Sequence, residues 1–188
     1  MSHISTDAER ECRSARSAGA GSVTGMMTLA RLTEVDPADL IDLMNDPRVR
    51  RHMPLATGSF GPEDCAAWVA AKEAMWRDHG YGPWALLVDG TFAGWGGLQP
   101  EDGEADLALV LRPAFWGHGR AIAERILAEA FGPLGLHDVT VLLPPTRGTA
   151  AAVRRFGFRP DGEIEIAGQR FLRFRLSSFG SEQYPQCR

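Results

Sequence analysis

Two carboxylates and a glycine-punctuated turn carry the chemistry legible in this chain of 188 residues. Glu104 and Asp106 stand two apart in the run EADLALVL, residues 104–111, so a strand there aims both at one face. A carboxylate so placed can take a proton from a bound group, directly or through a water. Both residues fit equally well as solvent-facing groups at a strand start, just past the turn signal Asp102-Gly103. The run leads into Trp116-Gly117-His118-Gly119-Arg120-Ala121 and then into residues 122–131, whose apolar positions recur at helical spacing. Strand, glycine turn and helix in that order make a cradle for phosphate. Successive backbone N–H groups point into such a turn, and the helix N-terminus adds partial positive charge. Glycine at 117 and 119 keeps Cβ atoms out of the path of a pyrophosphate approaching the main chain.

The elements that must position these groups follow from pattern and punctuation. Residues 27–33 read as a first strand. A helix over 36–44 has Asp36 as N-cap and Pro37 at its first position, and Asn45-Asp46-Pro47 stops it. Gly61-Pro62-Glu63 opens a longer helix through Trp68, Ala71, Met75 and Trp76, ended by Gly80 and Gly82. Residues 83–88 and 91–98 form a hairpin about Asp89-Gly90. Trp95, flanked there by Gly94, Gly96 and Gly97, is the expected wall of a substrate pocket, although tryptophan is more often core. The strand 104–111 and the helix to 131 precede a β-rich run, 138–143, stopped by Pro144-Pro145. A short helix over 149–156 and a hairpin, 163–166 with 170–176, complete the pattern. The fold class is α+β, a mostly antiparallel meander with one β-α-β passage.

Composition narrows the setting. The chain, 44% hydrophobic, suffices for one well-buried domain and is short for two. A net charge of −4 argues against a general nucleic-acid binder. Cys12, Cys65 and Cys187 are odd in number and far apart, which suits a reducing, cytoplasmic compartment. With no CxxC and no clustered histidines, no metal site is expected. No apolar stretch approaches the ~20 residues a membrane span needs. Residues 1–26 read as a disordered leader, 27–176 as the single folded domain and 177–188 as a loose tail.

Residues 112–121, RPAFWGHGRA, resemble the acyl-CoA pyrophosphate loop of the GNAT N-acetyltransferase superfamily. Gly119 and Ala121 fill its two small positions, and Trp116 stands where Gln or Arg is usual. The Trp-Gly-x-Gly form is similar to that of the Rim-type branch, which includes acetyltransferases of ribosomal-protein N-termini and relatives acting on small amines. The segments 29–40 and 46–54, the Phe156-Gly-Phe158 sequence and Asp161-Gly162 resemble that branch in order, so the likeness covers residues 27–176.

The resemblance implies a sheet whose central strand pair splays, with flanking helices, and acetyl-CoA as co-substrate. Its pantetheine arm would lie along Leu109, Val110 and Leu111, and Trp116 and Gly117 would shape the loop. Backbone donors at His118, Gly119, Arg120, Ala121 and Ile122 would hold the pyrophosphate, helped by the Arg112 and Arg120 side chains. Direct attack by a primary amine, a small molecule or a protein N-terminus, would take place in a ternary complex. Asp106 aligns with an acidic position of the family, with Glu104 beside it. The family's Asn, Ser and Tyr positions are here Thr146, Thr149 and Val153. Thr146 would anchor the co-substrate and Thr149 would supply a hydroxyl or simply cap the following helix. No phenol is available at 153 to protonate the leaving thiolate. An acyl-CoA-binding protein without turnover is therefore the competing reading, and an acceptor on aminoacyl-tRNA a third. The sequence leaves a homodimer open and does not name the amine.

Overall fold

The computed structural model describes residues 26–56, 58–145 and 150–178. Seven strands form one sheet in the order β1-β2-β3-β4-β5-β7-β6. They are β1 (Met27–Ala30), β2 (Pro83–Val88), β3 (Thr91–Glu101), β4 (Glu104–Leu111), β5 (Asp138–Leu143), β6 (Arg159–Ile166) and β7 (Gln169–Ser177). The α-helices are α1 (Pro37–Asn45), α2 (Pro47–Arg50), α3 (Pro62–His79), α4 (Gly119–Phe131) and α5 (Ala150–Arg155). Every strand pairing is antiparallel except β4 with β5. The architecture is the mixed, mostly antiparallel α+β sheet that the sequence pattern predicts.

Local chemistry sets the boundaries. Asp36 accepts the Ala38 N–H at 2.9 Å and Pro37 opens α1, as expected. Asp46 then stops α1 and also caps a one-turn helix by accepting the Arg48 N–H at 2.8 Å. Gly80, at φ 76°, closes α3 in the left-handed region, where an L side chain is strained. The first strand ends at Ala30, earlier than the pattern suggests, because Leu32–Glu34 coil into a 3-10 turn. At the other end β7 keeps its ladder through Ser177, and the Ser178 N–H reaches the His137 carbonyl at 2.8 Å, so the order runs past the expected edge of the tail.

The sheet has a core on each side. Leu86, Leu98, Leu107 and Leu111 pack with Ile122, Ile126 and Leu127 of α4 and with Val139, Val141 and Phe174. Leu40, Leu43 and Met44 of α1, Cys65 of α3, and Ala85, Phe92 and Trp95 form the other. Burying one such Leu or Ile side chain stabilises the fold by about 1.5–3 kcal/mol. Strand alternation thus sends Leu107 and Leu111 toward α4, and Asp106, Ala108 and Val110 toward α1 and α3.

Gly94 fixes how β3 meets the end of β4. Its φ is +151°, and a Cβ there would stand 2.2 Å from the Val110 carbonyl oxygen and 2.8 Å from the Leu111 Cα. Backbone cannot yield as a flexible side chain does. Gly94→Ala is therefore expected to cost about 2 kcal/mol or more and to lower Tm by at least ~5 °C in a thermal melt. An unchanged Tm would refute the close approach.

Candidate active site

β4 and β5 touch at a single register pair, Asp106 with Thr140, whereas β4 pairs with β3 along its whole length, from Glu104 to Leu111. Beyond Asp106 the β5-facing edge of β4 has no strand partner among the described residues. Leu109 and Val110, half-buried, and Leu111, buried, sit on that edge. An extended chain with amide groups can pair with such an edge by β-augmentation.

The open edge runs into the glycine segment. Pro113–His118 form a 3-10 helix that passes directly into α4 at Gly119, in place of the open turn suggested by the sequence. No side chain caps the N-terminus of α4. Neither Gly117 nor Gly119 has a positive φ. A Cβ at Gly117 would meet nothing within 4 Å, and one at Gly119 only ordinary contacts of 3.8 Å with Leu111 and 3.9 Å with Leu109. Backbone strain and internal packing therefore do not require glycine at either position. What glycine provides here is bare main chain, the property a phosphate cradle needs.

The side chains of this segment refine the expectations. His118 is half-buried rather than at the surface, its ring edge-on to Phe115 at 5.7 Å, and its buried Nδ1 has no hydrogen-bond partner among the described residues. Trp116 is 48% exposed, donates its indole N–H to the Leu111 carbonyl at 2.9 Å and meets the His52 ring edge-on at 6.0 Å. Arg120 is paired with Glu124 at 2.9 Å on the exposed side of α4. Ala121 begins the helical turn, and Ile122 is fully buried, so only its backbone can face a ligand. Arg112 does not point into the cradle. It bonds Asp39 Oδ1 at 2.7 Å and lies over the Phe92 ring, tying the loop to α1.

Asp106 stands at the vertex of the opening and is 9% exposed. The Leu142 backbone N–H donates to its carboxyl, and the Thr140 hydroxyl lies 3.5 Å from Oδ1, a long contact. Burial, reinforced by the negative charge of Glu101, outweighs both and pushes its pKa up to about 7. A carboxyl poised there can take a proton near neutral pH and return it. Thr140, itself 2% exposed, escaped sequence reasoning. Its only signal was a lone hydroxyl residue inside the apolar run of β5.

Two sequence-based assignments need correction. Glu104 is no free base: both its oxygens accept from the Arg175 guanidinium at 2.9 Å, which holds its carboxyl below the usual range. Asp161 joins the same guanidinium at 2.9 Å, so Glu104 belongs to an ion-pair lattice that ties β4 to β7 and β6. Trp95 is no pocket wall: it is 5% exposed, gives its indole N–H to the Met44 sulfur at 3.4 Å and packs on Trp68 with ring centres 5.1 Å apart. The glycines beside it admit β4 and the Trp84 ring rather than a ligand. Thr146 and Thr149 lie outside the described residues. Val153, on α5, packs against the α4-side core.

Among the described residues no group of three or more His, Cys, Asp or Glu is placed to hold a metal ion, and no helix is long and apolar enough to cross a membrane.

The comparisons with known proteins agree with this geometry. The sequence profile of the acetyltransferase (GNAT) domain matches residues 27–159. An acetyltransferase from Agrobacterium tumefaciens str. C58 superposes with a TM-score of 0.67 at 22% identity, over 87% of this chain and 99% of that one. A GNAT-family acetyltransferase from Bacillus anthracis gives 0.64 at 15% identity, over 80% and 94%. A spermidine N-acetyltransferase from Vibrio cholerae gives 0.57 at 17% identity, over 80% and 93%. The matched profile, spanning the strand pair and the glycine segment described above, shows that the chain belongs to the GNAT acetyltransferase family.

Proposed function

We propose that the chain moves an acetyl group from acetyl-CoA to a primary amine, a small molecule or a protein N-terminus, in a ternary complex. The observation that carries this reading is the parting of β4 from β5 at one residue pair, with a buried carboxyl at the vertex and a bare glycine segment at the far end. The amides from Leu109 to Leu111 and those of residues 117–122 would hold acetyl-CoA, which supplies the activated acetyl thioester. We place the chain in the Rim-type branch on its Trp-Gly-x-Gly loop, read 27–176 as one acetyltransferase domain, and assign it to the cytoplasm, where Cys65 stays a buried free thiol.

The net chemistry forms an amide C–N bond and breaks the thioester C–S bond. The proton that leaves the neutral nitrogen passes to Asp106 and from there, directly or through a water, to the departing sulfur. An α-amine, with a pKa near ~8, is partly neutral at pH 7 and needs only modest help, whereas a lysine amine near ~10.4 needs more. Asp106, excluded from water and perturbed upward, matches the former task. A second reading, binding without turnover, is favoured by Val153, whose core packing leaves no acid at the family's phenol position.

Three outcomes are expected. Isothermal calorimetry detects acetyl-CoA, and Gly119→Ala weakens it about tenfold while leaving Tm nearly unchanged, because the new Cβ finds room in the free protein. No heat at high micromolar ligand would remove the co-substrate assignment. In a thiol-release assay over a panel of amines, Asp106→Asn lowers kcat/KM by about 10²–10⁴ and abolishes the rising limb that the wild type shows near pH 7. Tight binding with no release from any amine would favour the second reading instead.

The third outcome concerns stability. Folded Asp106 keeps its proton up to about pH 7, whereas the unfolded chain loses it near ~4, so this residue's contribution to stability falls as pH rises through that window. Denaturant melts should show the wild type losing more stability than Asp106→Asn between about pH 4.5 and 7.5. Parallel losses would mean that the carboxyl ionises normally.

A further inference from the structure

Arginine supplies the basic residues of this chain almost alone: of its 20 lysines and arginines, a single one, Lys72, is lysine. That lysine is on the sheet-facing side of α3. Its half-buried ammonium donates to Gln99 Oε1 and lies 5.6 Å from the centre of the Trp68 ring. Gln99 is the β3 residue directly opposite Asp106 on β4. Glu101, two residues on and on the same face, is near enough to act electrostatically on both Lys72 and Asp106, yet it forms no ion pair among the described residues.

The two arginines of β7 on this face are already paired. Arg175 is bound by Glu104 and Asp161, and Arg173 by Asp161 and Asp102. Lys72 makes one hydrogen bond and no ion pair among the described residues, which leaves two of its three N–H donors unassigned. An ammonium differs from a guanidinium in being compact, with rotatable donors, and in approaching a single oxygen as a point charge. Around Gln99 the face therefore presents one cation outside any ion pair among the described residues, Lys72, and two carboxyl groups outside any ion pair, Glu101 and Asp106.

We infer that Lys72 is the specificity residue of the acceptor site and that the acceptor is a small zwitterion, an α-amino acid whose carboxylate is taken by Lys72 and whose amine is presented to Glu101 and Asp106. This rests on the acetyl-transfer reading above and deepens it. The neutral amine forms the new amide C–N bond as the thioester C–S bond breaks, its proton passing through Asp106 to the departing sulfur, which leaves as the thiol of CoA, while the carboxylate on Lys72 orients the nitrogen without reacting. A peptide N-terminus has a neutral amide where the amino acid has its carboxylate, so it forgoes that contact.

The test compares phenylalanine and leucine with phenylalaninamide and leucinamide, with putrescine as a dication, in the thiol-release assay. The amide amines lose their protons more readily than those of the free acids, so a preference for the acids cannot come from amine reactivity. The wild type is expected to favour each acid over its amide by at least ~10-fold in kcat/KM, a factor that corresponds to about 1.4 kcal/mol. Lys72→Met should erase that preference by raising KM for the acids at least ~10-fold more than for the amides, with affinity for acetyl-CoA within ~2-fold of wild type. Wild-type enzyme that turns over the amides or putrescine as well as the acids sinks the Lys72 assignment and leaves acetyl transfer standing. Failure to release thiol with every amine, acids included, takes down both.

Discussion

β4 and β5 run parallel, share the pair Asp106–Thr140 and then separate. The constraint behind that separation lies on either side of it. β4 is zipped to β3 over eight consecutive pairs, and β5 to β7 over six, so each strand is committed to its outer neighbour. In the middle, the two halves of the sheet share only one ladder pair among the described residues. Main-chain donors and acceptors left on the inner edges are costly when buried without partners. Their existence is tolerable only where solvent or a ligand reaches them. The open edge is therefore the part of the fold that an incoming extended amide chain would complete.

The same geometry accounts for the chemistry of Asp106. At the last point of contact the sheet still excludes water, so a carboxyl there is desolvated. Two residue pairs closer to the hairpin, Glu104 meets Arg175 and stays ionised. Two carboxylates on one face of one strand thus receive opposite environments. Ion pairing depresses one, and burial beside Glu101 raises the other. Only the second suits proton transfer near neutrality.

Local signals carried well. Asp36-Pro37, Gly61-Pro62, Asp89-Gly90 and Gly80 each act on their immediate neighbours, through capping, a fixed φ or a positive φ, and their elements begin and end about where those residues say. The glycine segment was found for the same reason, although its form, a 3-10 helix feeding α4, depends on how Trp116 ties back to Leu111. Long-range pairings were not legible. Nothing in the spacing of Glu104 and Asp106 foretells that Arg175, 71 residues away, claims the first. Trp95 read as a pocket wall because its glycines advertise close approach, but the approaching groups are β4 and Trp84. Lys72, Gln99 and Glu101 carry no motif, and only the packing of α3 across β3 assembles them.

The amino-acid sequence by itself determined the element order, the α+β class, the bare glycine stretch and the acidic position on β4, because periodicity, caps and backbone permissiveness act within a few residues. Tertiary structure alone decided which carboxylate is buried and which is paired, where β4 and β5 part, and that Lys72 comes to lie beside Gln99. Those outcomes depend on desolvation and on charges brought together from distant strands, and neither quantity exists until the sheet has formed.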